Sequence, residues 1–126
     1  MMLERFEDLR GQTLVRVENV ENRELIFTLN TGVQYKLYHL QDCCESVTIE
    51  DINGDLMDLI GSVILIAEEA TSNTDPEDVK MSEYRDYSFT WTFYRLATAK
   101  GFVIIRWYGE SNGYYSESVD WSRVTD

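Results

Sequence analysis

Glu24-Leu25-Ile26-Phe27-Thr28-Leu29-Asn30-Thr31-Gly32-Val33-Gln34-Tyr35-Lys36-Leu37-Tyr38 decides the fold. Leu25, Phe27 and Leu29 alternate with Ile26 and Thr28; Val33, Tyr35 and Leu37 alternate with Gln34, Lys36 and Tyr38. A period of two sends successive side chains to opposite faces of a pleated strand. Asn30-Thr31-Gly32 supplies the turn between the two runs, so the segment predicts an antiparallel hairpin.

The same reading extends outward. Residues 13–20 alternate Val15 and Val17 with Arg16 and Glu18 and predict a strand. Before them, Leu3, Phe6 and Leu9 have helical spacing, with Gly11 as the stop. Downstream, residues 46–52 read as a strand, Asn53-Gly54 as a turn, and residues 55–60 as a helical turn capped by Asp55. The apolar run in residues 62–70 predicts a central strand covered on both faces, and residues 71–79, with the only proline, predict a loop. Residues 85–97 predict the longest strand, with Tyr87, Phe89, Trp91 and Phe93 on one face. Its other face, Ser88, Thr90 and Thr92, reads as solvated. Strands over 102–108 and 114–121, joined by a loop over 109–113, complete the chain. The fold class is therefore mainly β (a β-rich α+β protein). The expectation is one domain over residues 1–126, a strongly curved antiparallel sheet or small barrel of about seven or eight strands with short N-terminal and mid-chain helical turns.

Charge is the strongest functional signal. Of 23 acidic residues, eleven lie between Lys36 and Lys80, where there is no Lys or Arg; the net charge of the chain is −12. A field of this sign repels phosphates, which argues against direct nucleic-acid binding and against anionic membrane surfaces. No window has the roughly 18 apolar residues of a membrane-spanning helix, and the first ten residues lack the apolar stretch of a signal peptide. The expected location is the cytoplasm. Sixteen aromatic residues set the chain apart from disordered acidic tails.

Three constellations could carry chemistry. The first is His39-Leu40-Gln41-Asp42-Cys43-Cys44-Glu45, where the only His and both thiols stand together. His39, Cys43 and Cys44 are candidate ligands for a soft metal, or a reactive thiol with its activator. Too few ligands for structural zinc, and acids that raise a thiol's pKa, favour instead a polar turn with two reduced thiols filling the core. The second is acidic: Asp42, Glu45, Glu50, Asp51, Asp55 and Asp58 read as a binding face. The stretch 50–58 is dense in oxygen ligands but lacks the EF-hand spacing. The third is the aromatic, Gly-rich segment 106–118, with Arg106, Trp107, Tyr108, Asn112, Tyr114 and Tyr115 as a recognition palette. Phosphate-loop, dinucleotide and Gly-x-Ser-x-Gly motifs are absent, so no cofactor is expected.

The cassettes His39–Val47, Glu50–Leu56, Leu59–Ser62, Thr92–Tyr94 and Ile105–Val119 resemble an uncharacterised family of small proteins from tailed-phage and prophage genomes. The resemblance implies a phage or prophage source and a role inside the infected cell, and it supplies no catalytic residue. Three readings follow. The first is a non-enzymatic binding protein whose acidic face engages a basic host protein, as a nucleic-acid mimic or counter-defence factor. The second is a small-molecule or nucleotide-signal site in loop 106–118, with Arg106 against a phosphate. The third is a metal or thiol enzyme at His39, Cys43 and Cys44. An open sheet edge would also allow a homodimer.

Overall fold

The deciding hairpin forms as its alternation predicts. In the computed structural model, which describes residues 2–79 and 87–125, β2 (Glu24–Leu29) pairs antiparallel with β3 (Gln34–Tyr38). Leu25 stands opposite Leu37 and Phe27 opposite Tyr35, all four buried. β1 (Leu14–Val20) joins β2 through a turn in which Glu21 and Asn22 both take positive φ. That is the backbone a tight right-twisted hairpin requires. A register shift between Leu14 and Arg16 leaves Val15 exposed instead of packed beside Val17.

The described strands continue with β4 (Ser46–Asn53), β5 (Ile66–Ser72), β6 (Ser88–Thr98), β7 (Gly101–Ser111) and β8 (Asp120–Arg123). They form two four-stranded antiparallel sheets, ordered β1-β2-β3-β8 and β4-β7-β6-β5. The fold is mainly β, as expected, but neither a single curved sheet nor a closed barrel. The reason lies in two crossings. Residues 39–45 carry the chain from the first sheet to the second, and residues 112–119 carry it back. Both helical segments are single 3-10 turns, Phe6–Leu9 and Leu56–Leu59, the second capped by the Asp55 carboxylate on the Met57 N–H at 2.9 Å.

One core serves both sheets. Leu25, Phe27, Tyr35 and Leu37 of the first share it with Tyr94, Leu96, Val103 and Ile105 of the second. Full burial of each such side chain contributes about 1.5–3 kcal/mol. Phe6 adds an edge contact to Tyr94, with ring centroids 4.6 Å apart. Trp121 stacks on Tyr35, and its indole N–H donates to the Leu3 carbonyl at 2.9 Å.

Three expectations are corrected. Residues 62–70 are not a central strand: β5 begins at Ile66, lies at a sheet edge, and leaves Val63, Leu65 and Ile66 exposed. Of the long strand, Arg85 and Asp86 lie outside the described residues, and its faces are reversed from the reading above. Tyr94 and Leu96 point into the core, so Thr92, Thr90 and Ser88 point inward too. The last strand is shorter than residues 114–121, because its first part is the crossing to β8.

Gly54 marks where β4 and the 56–59 turn meet β7. Its φ is +109°, and a Cβ there would lie 2.5 Å from the Phe102 carbonyl oxygen. Gly54→Ala should therefore cost more than about 1 kcal/mol, read as a lowered denaturant midpoint with unchanged slope.

Candidate functional site

The first crossing is organised by one carboxylate. Glu45 is buried, its side chain 0% exposed, and it accepts from His39 Nε2 at 2.8 Å. It also accepts from the backbone N–H groups of Asp42 at 2.9 Å and Cys43 at 2.8 Å, and from Gln41 Nε2 at 3.2 Å. Burial pushes the Glu45 carboxyl up, but the bond from His39 and the backbone N–H bonds outweigh it and hold the group down at about 2. The other ring nitrogen of His39, Nδ1, donates to the Ser118 carbonyl at 2.7 Å. A carboxylate and a carbonyl are both acceptors, so the contacts are complete when each ring nitrogen carries a proton. His39 thus ties the first crossing to the second.

This arrangement leaves His39 without a free ring nitrogen for a metal or a proton transfer. Cys43 and Cys44 are exposed, where the sequence reading put them in the core, and they are joined to each other by a disulfide, where it gave two reduced thiols. The turn that points the Asp42 and Cys43 N–H groups at Glu45 holds both sulfurs at the surface. Among the described residues, no three His, Cys, Asp or Glu side chains gather in a way that could hold a metal ion.

The six acids read as one face are divided. Glu45 is enclosed by its donors. Glu50 forms an ion pair with Arg106, taking its Nε and, at 3.1 Å, its Nη2. Asp42 precedes β4, whereas Asp55 and Asp58 follow it, so they stand at opposite ends of a strand about 23 Å long. The remaining three are spread along β7: Asp51 stands opposite Arg106, whereas Asp58, in the 56–59 turn that Asp55 caps, lies against Gly101 at the start of that strand.

The aromatic palette divides as well. Arg106 and Tyr108 lie on the outward face of β7, while Trp107 points inward, fully buried, with its indole N–H unpartnered. Tyr114 is 91% exposed, and Asn112 accepts from its N–H. Arg106 holds Asp78 through two bonds of 3.0 Å and lies over the Trp91 ring at 5.4 Å. The bonds to Glu50 and Asp78 raise the Arg106 pKa, and its guanidinium lowers that of Asp78. Nearby, the Trp91 indole N–H donates to Asp75 at 2.9 Å. The segment after β5 therefore lies over the outward aromatic face, and Arg106 is already committed to two carboxylates.

Between the hydroxyl face of β6, the inner edge of β5 and the second crossing lies a cleft of about 460 Å³. Thr71 and Asn73 line one side, Tyr115 and Glu117 the other. Gly109 lets the crossing approach: a Cβ there would come within 2.7 Å of the Glu117 carbonyl oxygen. Of the aromatic palette, Tyr115 alone lines this cleft. Neither Glu69 nor Glu117, the two carboxylates on its walls, is among the candidate site residues of the sequence reading.

A model of a domain of unknown function, DUF7448, matches residues 7–121. The chain belongs to the DUF7448 family. Nothing matches it among the curated proteins, and nothing among the solved structures. The DUF7448 match encloses both crossings and the cleft, and its description assigns no activity. No helix among the described residues is long and apolar enough to cross a membrane.

The depressed Glu45 carboxyl makes a signed prediction. Its stabilising contribution is complete above about 4.5, its ordinary value, and is lost as pH falls through about 2. Urea unfolding at stepped pH should show wild type taking up about one more proton on unfolding across that window than Glu45→Gln, which has nothing to titrate there.

Proposed function

We propose that the chain is a non-enzymatic binding domain that engages a cationic surface on a protein partner. The observation that carries this reading is the set of carboxylates left unpaired. Asp42, Asp51, Asp55, Asp58, Glu68 and Glu77 form no ion pair with a described Lys, Arg or His. All but Asp58 are exposed, and Asp58 is partly buried. Their mutual repulsion is relieved when a cationic surface arrives. Asp51, Asp55 and Asp58, set along the β4 and β7 edge, are the centre of the binding face in this reading; Glu45 and Glu50 drop out of it.

Two other readings lose support. A phosphate at Arg106 would have to displace both Glu50 and Asp78. An enzyme at His39 would have to break its buried hydrogen bond to Glu45 before it could act. A phage or prophage source, a cytoplasmic setting and a host nucleic-acid-binding protein as the partner belong to this proposal. An anionic face of this kind occupies the site that DNA or RNA phosphates would fill.

The test is salt. A partner captured from host lysate at about 50 mM salt should lose affinity steadily as ionic strength rises. The triple variant Asp51→Asn, Asp55→Asn, Asp58→Asn should weaken binding about tenfold at low salt and flatten the salt dependence. Asn retains the cap at position 55, so the fold is kept. Affinity that ignores both salt and the triple variant would overturn the proposal.

A further inference from the structure

The 460 Å³ cleft beside the second crossing carries a charge that no described residue lining it balances. Glu69 and Glu117 line it, and among the described residues no Lys, Arg or His does. Glu117 is half-buried, and among the described residues its two oxygens accept from side-chain hydroxyls alone, Thr90 at 2.7 Å and Ser111. Glu69 accepts from the Tyr94 hydroxyl at 2.7 Å. Each carboxylate oxygen can accept a second hydrogen, so both groups retain capacity toward the cleft.

An independent observation comes from the cleft's inner wall. Thr92 is 3% exposed and lines the cleft, and its hydroxyl makes no hydrogen bond among the described residues. The hydroxyl itself is not sealed from the surface, so its unmet hydrogen-bonding capacity opens onto the cleft. Two carboxylates, a free hydroxyl and a volume within the roughly 300–1,000 Å³ of small-molecule sites define what fits. An anion meets only like charge, and an apolar group would strip water from carboxylates without replacing their bonds.

We infer that this cleft binds an organic cation, a primary ammonium or guanidinium group, whose N–H donors pair with Glu69 and Glu117 and bond the Thr92 hydroxyl. The inference deepens the cationic-partner reading and rests on it only for the source of the group. The cation is carried either by a free polyamine-type molecule or by a Lys or Arg side chain of the partner.

The probes are agmatine, which carries both head groups, and N-acetyl-arginine amide, titrated into ¹⁵N-labelled full chain. Saturable shifts of the Thr90, Thr92 and Glu117 amides are expected with at least one probe. Glu69→Gln and Glu117→Gln should each weaken binding about tenfold, as loss of a charge-assisted bond does. Thr92→Val leaves the carboxylates and their bonds in place, so it tests the site if a Gln variant fails to fold; it should weaken binding several-fold. Binding of the blocked arginine assigns the site to a partner's side chain, and binding of agmatine alone assigns it to a free polyamine-type molecule. Non-saturable shifts scattered over exposed acids, or saturable binding indifferent to all three variants, would overturn the inference. Cleft binding without salt-sensitive partner capture would sink the earlier reading alone; the reverse would sink this one alone.

Discussion

The His39 ring stands between the only two segments that carry the described chain from one sheet to the other. One nitrogen bonds Glu45 in the first crossing and the other bonds the Ser118 carbonyl in the second. Strand pairing holds each sheet together, and the apolar core presses the sheets against each other, but neither fixes how irregular segments lie at the edge. A buried carboxylate does, because it must find donors or pay heavily for dehydration. Glu45 finds them in two backbone N–H groups, a Gln side chain and His39, and this set can form only if residues 39–45 take one path. The second crossing, hung from Ser118, is then held where Glu117 reaches Thr90 and Ser111.

That placement answers a difficulty built into β6. Its inward side chains run from Leu96 and Tyr94 to Thr92, Thr90 and Ser88, from carbon to hydroxyl. The first sheet could cover the hydroxyl end only with polar groups, and its inward positions are apolar. The crossing brings polar groups instead, with Gly109 allowing its backbone to come close. The sheets pack at one end of β6 and stand apart at the other, and the space left is a polar cleft with two carboxylates.

How much of this was legible follows from what each signal measures. The 24–38 hairpin was read nearly to the residue, because alternation and turn chemistry are local and agree. Alternation along 88–98 identified two faces correctly but not which one is inward. The aromatic face looked like the core, and only the segment carrying Asp75 and Asp78 shows why it lies outside. The run at 62–66 is apolar enough for a central strand, yet it leads into β5, whose place at a sheet edge depends on pairing that no local pattern reveals. Charge counting found the sign of the surface but not its arrangement. Glu50 meets an Arg 56 residues away, and the acids of the cleft, Glu69 and Glu117, come from strand and crossing segments with nothing local to join them. Glu45 beside His39 was noticed as a cluster, but burial turned it from a candidate site into a structural anchor.

The most direct measurement is a nuclear Overhauser spectrum of the His39 ring at neutral pH. The account predicts cross-peaks from its ring protons both to the Glu45 γ-methylene and to Ser118, joining the two crossings in one signal set. A ring that shows sharp, solvent-averaged resonances with no cross-peak to Ser118 would contradict it, and the cleft wall would lose its support.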